Sequence, residues 1–446
     1  MYTPGTYVIT YDVSDMSGNA AVTGERTVIV EAPLDPIAIE TIEELQLIGT
    51  DPSYPLHGSY YLTQDIDASI TSTWNSGMGF DPIGMMPYKA GAGDGQFTGH
   101  FIGNDYTISN LYIDRPDMYG VGLFGAVAYG GAVENLVLEN VVITGSNDVG
   151  GLVGSHEDGQ ILRCSVSGTV DGDYGVGGLA GVNNSMISES FADAEVTAIS
   201  GLTGGLVGSN YGSLNDCYAR GAVYADFTAG GLAGISEGSI SNCYSSGPVS
   251  ANSDAGGMVG YSMEGSAFFS FWDSDLAGPM MSAGGTGIST SLMMQQSTFT
   301  TDASWDFETV WGIVEGVTYP YLLWAPLDPC DPDMTPPVLT LQGTDPVTVE
   351  CGDMYTDAGA TASDDCDGDL TTSIVVGGDT VNTAMPGAYV IAYNVSDTAM
   401  NPAAEITRTA NVVDTVAPVI TLLGSSTVTV ECGDTYTDAG ATASDA

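Results

Sequence analysis

Basic side chains are scarce in this sequence of 446 residues: six Lys and Arg stand against 56 Asp and Glu, a formal net charge of −50 at pH 7. The summed negative field of such a surface repels phosphates and anionic lipid headgroups, which argues against nucleic-acid partners. Carboxylates in this number suit a protein that stays soluble in salty water, or one that binds Ca²⁺. We therefore expect a marine, halotolerant or calcium-rich extracellular setting.

Segments that target a chain to a membrane or anchor it there are also missing. No apolar run of about 18 residues occurs, so no part of the sequence is predicted to insert into a bilayer. The opening stretch MYTPGTYVITYDVSD has neither the basic nor the apolar region of a signal peptide, and it is typical of a strand in the middle of a domain. An export signal is therefore expected upstream of this sequence.

Catalytic motifs are the third absence. The sequence holds no GxSxG nucleophile motif, P-loop or dinucleotide fingerprint. Its three histidines, His57, His100 and His156, do not show a metal-ligand spacing such as HxxxH. We predict a chain without enzymatic activity. Paired acids for glycoside hydrolysis stay open, because so many carboxylates always offer some pair at about 5–9 Å.

A long repeat organises both ends of the chain. Residues 337–362 (PVLTLQGTDPVTVECGDMYTDAGATA) recur 81 positions later as 418–443, and residues 4–15 align with 386–397. Short β-branched runs alternate with Gly, Pro and Asp turns in each unit, which is typical of an antiparallel β-sandwich. The sequence is therefore predicted to open inside one copy and to stop inside another.

The stretches VECGDxYTDAGATASD and GxYxIxYxVSD resemble the bacterial Ig-like family first described on a pesticidal crystal protein, which is common in tandem on giant surface proteins. The resemblance implies the C-terminal part of an Ig-like domain at 1–32, a complete domain at 337–415, and the truncated N-terminal part of a further one at 416–446. Residues 326–336, rich in Pro and Asp, are predicted to form a semi-rigid linker. Cys330 within this linker has no assigned partner.

A shorter repeat of 26 or 27 residues fills the middle of the chain. Its core, GGLVGS or a close variant, recurs with spacings of 27, 27, 26 and 26 residues from residue 150 onward. A second apolar strand follows in each unit, and a valine recurs at a third position. Three short strands per unit, each ended by Gly, Asn or Asp, are typical of the coil of a β-solenoid.

These units resemble the GLUG-motif repeat family, named for its Gly-Leu-x-Gly core. The resemblance implies an all-β fold in which residues 36–325 form a right-handed parallel β-helix with a cap at each end. Coils must stack to bury their apolar sides, which places like residues in columns with steps of about 4.8 Å. The paired glycines fit corners that need positive φ or close backbone approach. The predicted columns are Gly151, Gly178, Gly205, Gly231 and Gly257; Leu152, Leu179, Leu206, Leu232 and Met258; Ile161, Ile187, Leu214, Ile240 and Ala267; and Val170, Val196, Val223 and Val249.

Both ends of the solenoid are predicted to be capped, because open coil ends invite edge-to-edge aggregation. Residues 42–48 (IEELQLI) are predicted to form a short amphipathic helix that opens the N-terminal cap. Trp272, Trp305, Trp311 and Trp324 are predicted to form the core of the C-terminal cap. A sugar-stacking platform is the alternative for these tryptophans.

The seven cysteines divide between the two kinds of repeat and the linker. Cys351 and Cys366 fit a short disulfide within the complete Ig-like domain, which implies an oxidising compartment; two free thiols are the alternative. The equivalent partner of Cys432 would fall at position 447. Three further cysteines share one slot of the second solenoid strand, where a column of small buried residues is favoured over a disulfide or a metal site. They are Cys164, Cys217 and Cys243.

The turn SDDCDGDLT is the best candidate for binding a small ligand. Asp365, Asp367 and Asp369 alternate around Gly368 and resemble part of a calcium loop, so they form a candidate Ca²⁺ site. The stretch lacks the distal Glu that completes an EF-hand, and a solvated acidic turn is the alternative. No other cofactor is predicted.

These features predict a non-catalytic structural and adhesive region of a larger extracellular or cell-surface protein. Solenoids and tandem sandwiches form stalks whose repeated faces bind many times over, and the partner would be a surface, matrix or glycan ligand. A carbohydrate-binding or polysaccharide-processing β-helix is the first alternative. Ice or mineral binding is the second; it needs outward Thr ladders, whereas the coils show mixed Ser, Asp, Gly and Ala.

Overall fold

The structure is a computed structural model that describes residues 5–14, 16, 17, 19, 22–30, 35–85, 95–262, 266–279, 281–301, 305–325, 333, 335–398 and 401–445. The chain divides into two compact units, residues 1–327 and 328–446, and each is described by itself. Nearly all regular structure is β-strand, in a parallel solenoid and an Ig-like sandwich. This architecture confirms the predicted fold class.

Three sheets run along the solenoid, and each is made of parallel strands from successive coils. Face A contains Asn147–Gly150, Tyr174–Gly177, Leu202–Gly204, Thr228–Gly230 and Asp254–Gly256. Face B contains Phe124–Val127, Val153–His156, Ala180–Asn183, Val207–Asn210, Ala233–Ser236 and Val259–Tyr261.

Face C is the longest sheet, because it begins in the N-terminal cap and runs through every later coil. Its strands in the cap and first coils are Ile37–Ile39, Ser59–Leu62, Ile66–Asp67, His100–Ile102, Thr107–Ser109, Tyr112–Asp114, Ala132–Thr144 and Gln160–Gly172. Its later strands are Met186–Ser188, Phe191–Ala198, Ser213–Asn215, Tyr218–Ala219, Val223–Ala225, Ser239–Ser241, Tyr244–Ser245, Val249–Ala251, Ser266–Phe268, Phe271–Asp273 and Thr286–Ile288.

The repeated apolar residues lie one above the next along the solenoid. The backbone N–H of Leu152 donates to the carbonyl of Leu179 at 3.1 Å, and Leu179 donates in the same way to Leu206 at 2.9 Å. The same step continues through Leu232 to Met258, and all five side chains are fully buried. The predicted isoleucine and valine columns also pair in register from coil to coil. One axis therefore runs through all these coils.

The glycine column is explained by close backbone approach. A Cβ on Gly178, Gly205 or Gly231 would lie 2.3, 2.2 and 2.2 Å, respectively, from a carbonyl oxygen of the next coil. Real Cβ atoms essentially never come so near a backbone atom. None of the five column glycines is among the positive-φ glycines of the described chain. Of the two reasons expected for these glycines, the structure supports the close approach.

A short helix opens the N-terminal cap where the sequence predicts one. It spans Ile42–Leu47, and its N-cap Thr41 accepts a hydrogen bond from the backbone N–H of Glu44 at 3.2 Å. Ile42 and Leu45 are buried in the solenoid core, so the helix covers the apolar interior. Among the described residues, the other helical segments are the 3₁₀ helices Ser69–Gly77 and Thr371–Ser373 and the α-helices Thr290–Met293 and Gln296–Thr300.

The C-terminal part of the solenoid unit lies along its flank. Residues 289–301 and 305–325, here called the strap, hold two short helices and the antiparallel strands Trp311–Gly312 and Tyr321–Leu322. Trp311 is fully buried, with its ring centroid 6.2 Å from Tyr218 and 6.1 Å from Tyr244. These tyrosines belong to coils well before the last one. The strap therefore covers the side of these coils, whereas the predicted cap would only close the end of the solenoid.

Two sheets form the complete Ig-like unit. One contains Val338–Leu341, Ala360–Asp364 and Gly368–Asp369, and the other Val347–Glu350, Ile406–Val413, Gly387–Asn394 and Val375–Gly378. Arg408 is buried, donates to the carbonyls of Gln342 and Gly359, and lies 3.3 Å from the carboxylate of Asp357. Its charge is therefore neutralised inside the unit.

Two antiparallel hairpins lie in the segments for which partial Ig-like copies are predicted. They are Gly5–Tyr11 with Gly24–Val30, and Val419–Leu422 with Ala441–Ser444. The limits predicted for the domains stay predictions. Over the part of the chain that the structure describes, no helix is both long and apolar enough to cross a bilayer.

Candidate functional site

The Asp-rich turn is held by its own backbone. Asp364 Oδ1 accepts hydrogen bonds from the backbone N–H groups of Cys366, at 2.8 Å, and Asp367, at 3.0 Å, which is the pattern of an Asx turn. The carboxylate of Asp367 faces a neighbouring loop. There it accepts from the backbone N–H and the hydroxyl of Thr398, at 2.6 and 2.8 Å.

Four aspartates from three segments converge beside this turn. Carboxylate oxygens of Asp333, Asp367 and Asp397 lie within 4.8 Å of one another, and one from Asp364 is equally close to Asp333. The carboxylate of Asp397 also accepts from the backbone and side-chain N–H groups of Asn401, at 2.6 and 2.9 Å. These four aspartates are called the acidic cluster below.

Only one of the three aspartates of the predicted Ca²⁺ site belongs to the acidic cluster, and it is Asp367. Asp369 accepts hydrogen bonds from the side chain and the backbone of Thr371, which lower the pKa of its carboxyl. Asp365 is exposed and lies outside both groups of carboxylates that come together in the described residues. Of the other members, Asp364 lies in the Asp-rich turn itself, whereas Asp333 and Asp397 come from segments about 30 residues away on either side, and no local motif marks these two.

The predicted disulfide between Cys351 and Cys366 is wrong. Cys351 is a free thiol, whereas Cys366 is disulfide-bonded. Cys351 follows the strand Val347–Glu350, and its N–H donates to the carbonyl of Val413 in the same sheet at 2.7 Å. Cys366 lies in the turn that follows Ala360–Asp364, a strand of the other sheet. The two cysteines are therefore close in sequence but belong to different sheets. Cys330 lies outside the described residues.

The three solenoid cysteines form a structural column with two serines. The N–H of Cys164 donates to Ser190 Oγ at 3.1 Å, that of Cys217 to the sulfur of Cys243 at 3.4 Å, and that of Cys243 to Ser270 Oγ at 3.1 Å. All three thiols are free and fully buried. Burial raises the pKa of the Cys164 thiol to about 12, so it stays protonated and is a poor metal ligand.

A polar column runs through face B. His156 Nδ1 lies 2.9 Å from Asn183 Oδ1, Asn183 Nδ2 donates to Asn210 Oδ1 at 2.8 Å, and Asn210 Nδ2 donates to Ser236 Oγ at 3.1 Å. All four residues are buried. We call them the polar ladder. Sequence reasoning missed it, although its members share the coil spacing.

An aromatic stack on face C carries the only cation–π contacts in the described chain. Phe191 and Tyr218 stack with ring centroids 4.5 Å apart, and Tyr218 and Tyr244 at 5.0 Å. The Arg220 guanidinium lies 4.7 Å from the Tyr218 ring centroid and binds Asp193 through two hydrogen bonds of 2.9 and 2.7 Å. The strap covers this stack, so it is packing rather than an open platform for sugars.

Basic and imidazole groups do not gather into a catalytic centre in the described residues. Arg163 pairs with Glu189 at 2.8 Å and Arg220 with Asp193 at 2.7 Å, so the two arginines, which lie on different coils, form separate ion pairs. His100 lies 3.4 Å from Glu134, whereas His57 is exposed near the N-terminal cap. No group of three metal-ligating side chains occurs in the described part of the solenoid.

Family models match both kinds of repeat. The model described as a bacterial surface protein, Ig-like domain, matches residues 339–412. The model described as the GLUG motif matches residues 145–171 and 225–250. The matched segments coincide with the sandwich and with coils of the solenoid.

Similar proteins are much longer than the matched segments. Halomucin from Haloquadratum walsbyi is 43% identical over 190 residues, which are 42% of this chain and 2% of that protein. A putative Gly-rich membrane protein from Evansella cellulosilytica is 32% identical over 139 residues, 31% of this chain and 14% of its own length. An immunoglobulin A1 protease from Streptococcus pneumoniae is 32% identical over 179 residues, 36% of this chain and 9% of the protease. The chain therefore spans a small share of each relative.

Solved structures give a distant likeness. An IgA1 protease structure is 20% identical, covers 63% of this chain and 24% of its own, and has a TM-score of 0.40. The lipoprotein BT2262 from Bacteroides thetaiotaomicron is 26% identical over 18% of this chain and 39% of its own, with a TM-score of 0.17. On the family matches and the fold, this chain combines GLUG-motif repeats in a parallel β-solenoid with a bacterial surface Ig-like domain.

Proposed function

We propose that the chain is a non-catalytic structural and attachment region of an extracellular or cell-surface protein. The observation that carries the proposal is the register of the coils, which presents equivalent surface positions again and again along one axis. A surface of this kind suits weak, multivalent attachment to an extended ligand such as matrix or glycan. The match to a bacterial surface Ig-like domain supports an exported location.

The absence of a catalytic centre among the described residues supports the non-catalytic part of the proposal. The arginines of the coils are engaged in separate ion pairs, and the solenoid thiols are buried. Three of the similar proteins are named immunoglobulin A1 protease, and the match covers 9% or less of the length of each. The name of these relatives is therefore no ground for assigning protease activity to this chain.

Carbohydrate recognition on the solenoid flank is less well supported than general attachment. Exposed Tyr174, Tyr211 and Tyr224 occupy three different positions of the coil, so they do not form a continuous row. The aromatic side chains that do align lie beneath the strap. A row of sugar-stacking rings is therefore not presented by the described surface.

The test is binding of the full chain to arrays of glycans and extracellular-matrix proteins. The matched control is an unrelated protein of similar net negative charge, because a net charge of −50 by itself can cause salt-dependent adsorption of a protein to the array. We expect saturable binding that persists at physiological salt and no cleavage of the bound ligand. Release of sugar or peptide products on incubation with the bound ligand would overturn the non-catalytic assignment, and binding no stronger than the control's would overturn the attachment role.

A further inference from the structure

Two carboxylate oxygens in the acidic cluster are buried without a hydrogen-bond partner. They are Asp364 Oδ2 and Asp333 Oδ2, and the whole Asp364 residue is only 9% exposed. The other oxygen of each group is satisfied: Asp364 Oδ1 by the turn, and Asp333 Oδ1 by the backbone N–H and hydroxyl of Thr335, at 3.0 and 2.8 Å. Native proteins rarely leave a buried polar atom unpartnered, so these two oxygens point to a missing ligand.

The charge of the cluster is not balanced by the chain. Like charges this close repel strongly when they are partly buried. Arg408 is the only Lys or Arg after residue 328, and it is already bound to Asp357 and to two backbone carbonyls. No Lys or Arg after residue 328 is therefore available to neutralise the acidic cluster, and a cation from solution would do so.

The donor atoms select the class of cation. All four side chains offer oxygen, and the nearby sulfur of Cys366 is disulfide-bonded, so it cannot act as a thiolate. Ca²⁺ takes oxygen ligands at about 2.3–2.6 Å, so two ligands on opposite sides of the ion lie about 5 Å apart. Mg²⁺, at about 2.0–2.1 Å, requires oxygens no more than about 4 Å apart in strict octahedral geometry. Four carboxylates that can approach a single ion suit Ca²⁺, which accepts six to eight oxygen ligands in flexible geometry, better than Mg²⁺, which usually keeps several waters and is held by one or two carboxylates.

The repeats of the chain retain these positions. At the repeat offset of 81, Asp333 corresponds to Asp414 and Asp364 to Asp445, and in the first partial copy Asp397 corresponds to Asp15. The two partial copies thus retain, between them, an aspartate at the counterparts of three of the four positions, which a merely solvated turn does not require.

We propose that Asp333, Asp364, Asp367 and Asp397 bind one Ca²⁺ ion, which joins Asp333, before the first strand of the Ig-like unit, to the Asp-rich turn and to Asp397, after the strand Gly387–Asn394. The site differs from an alternating site within the turn, because Asp365 and Asp369 take no part in it. Each of its segments contributes at least one carboxylate, so the ion acts as a cross-link within the sandwich.

The test is calorimetric titration of the full chain with CaCl₂ in about 1 M NaCl, where the Debye length of about 3 Å suppresses diffuse attraction by the other carboxylates. We expect one saturable site in the parent, with weaker uptake of Mg²⁺. Asp364→Asn retains the oxygen that accepts the turn hydrogen bonds and removes the charge, and we expect at least tenfold weaker Ca²⁺ binding. Asp333→Asn, outside the sandwich strands, should weaken binding to a similar extent.

Asp365→Asn and Asp369→Asn are the matched controls, since they remove the same charge from the same turn. Both should bind Ca²⁺ as the parent does, and circular dichroism checks that every variant is folded. Ca²⁺ should raise the melting temperature of the parent and of both controls, but not of Asp333→Asn. The proposal is overturned if the parent shows no saturable site, if Asp333→Asn and Asp364→Asn titrate like the parent, or if only the two controls lose affinity.

Discussion

Asn183 donates a hydrogen bond of 2.8 Å from its side-chain nitrogen to Asn210 Oδ1, one coil further along the solenoid, and both residues are fully buried. Each side-chain amide of the polar ladder thus donates a hydrogen bond to the ladder residue of the next coil. Buried amides without such partners would destabilise the fold. The ladder therefore fixes the register of neighbouring coils, in addition to the apolar columns.

Asn183→Ala should destabilise the solenoid by about 2–4 kcal/mol, because it leaves polar atoms of His156 and Asn210 buried without partners. Urea unfolding followed by tryptophan fluorescence measures this, since all five tryptophans lie in residues 1–327. The control is Asn184→Ala, whose exposed side chain bonds Glu157 at 3.1 Å; it should change stability by less than about 1 kcal/mol. Equal effects of the two substitutions would contradict the role of the ladder.

Stability of the solenoid should fall in acid because of His156. Burial lowers the pKa of His156 to about 4. As the pH falls, His156 is therefore protonated near pH 6.5 in the unfolded chain but only near pH 4 in the folded chain. The free energy of unfolding therefore decreases as pH falls through this window, by about 3 kcal/mol in total.

The contribution of His156 is isolated by comparing the parent with His156→Asn, which can continue the ladder without titrating. The difference in unfolding free energy between the two proteins should shift by about 3 kcal/mol in favour of the variant from pH 7 to pH 4. His57→Asn, at an exposed position, should follow the parent at every pH. A constant difference between parent and His156→Asn would refute the prediction.

Removal of Trp311 should loosen the strap. Its indole N–H donates to Asp216 at 3.0 Å, and its ring packs on the aromatic stack. Trp311→Ala should cost about 3–5 kcal/mol and increase binding of a hydrophobic dye to the uncovered stack. Trp311→Phe keeps most of the packing and loses the hydrogen bond to the half-buried carboxylate of Asp216, so we expect about 1–3 kcal/mol. Unfolding midpoints that do not move in Trp311→Ala would mean that the strap is not docked in solution.

Gly205→Ala tests the spacing between coils. The new Cβ would meet the carbonyl oxygen of Gly231 at 2.2 Å, so the coils would have to separate, and we expect a loss of more than about 3 kcal/mol. Gly130→Ala is the control, because its Cβ would enter open space at a positive φ of 82°; it should cost only about 1 kcal/mol. Similar losses in the two variants would argue against tight contact between coils.

The coil architecture was predictable from the sequence because its period fixes its register. Once the spacing of 26 or 27 residues is known, every residue has its neighbour one period away, as the pairing of Ile161 with Ile187 shows. The polar ladder obeys the same spacing. It could have been found by searching aligned positions for polar side chains rather than by inspecting each histidine alone.

Features that depend on contacts between aperiodic segments were not predictable. Trp311 and Asp216 are 95 residues apart, and no repeat relates the strap to the coils beneath it. The acidic cluster brings Asp333 and Asp397 to the Asp-rich turn, and neither of these two residues lies in the turn that the sequence singled out. Cys351 was paired with Cys366 by proximity in sequence, which fails when the chain crosses from one sheet to another.

The most direct test of the central claim is an experimental structure of the full chain that resolves residues 145–260. The account predicts that the Cα atoms of Leu152, Leu179 and Leu206 follow one another along a single axis in steps of about 4.8 Å. Leucines in unrelated environments, or repeats packed side by side as separate hairpins, would contradict it.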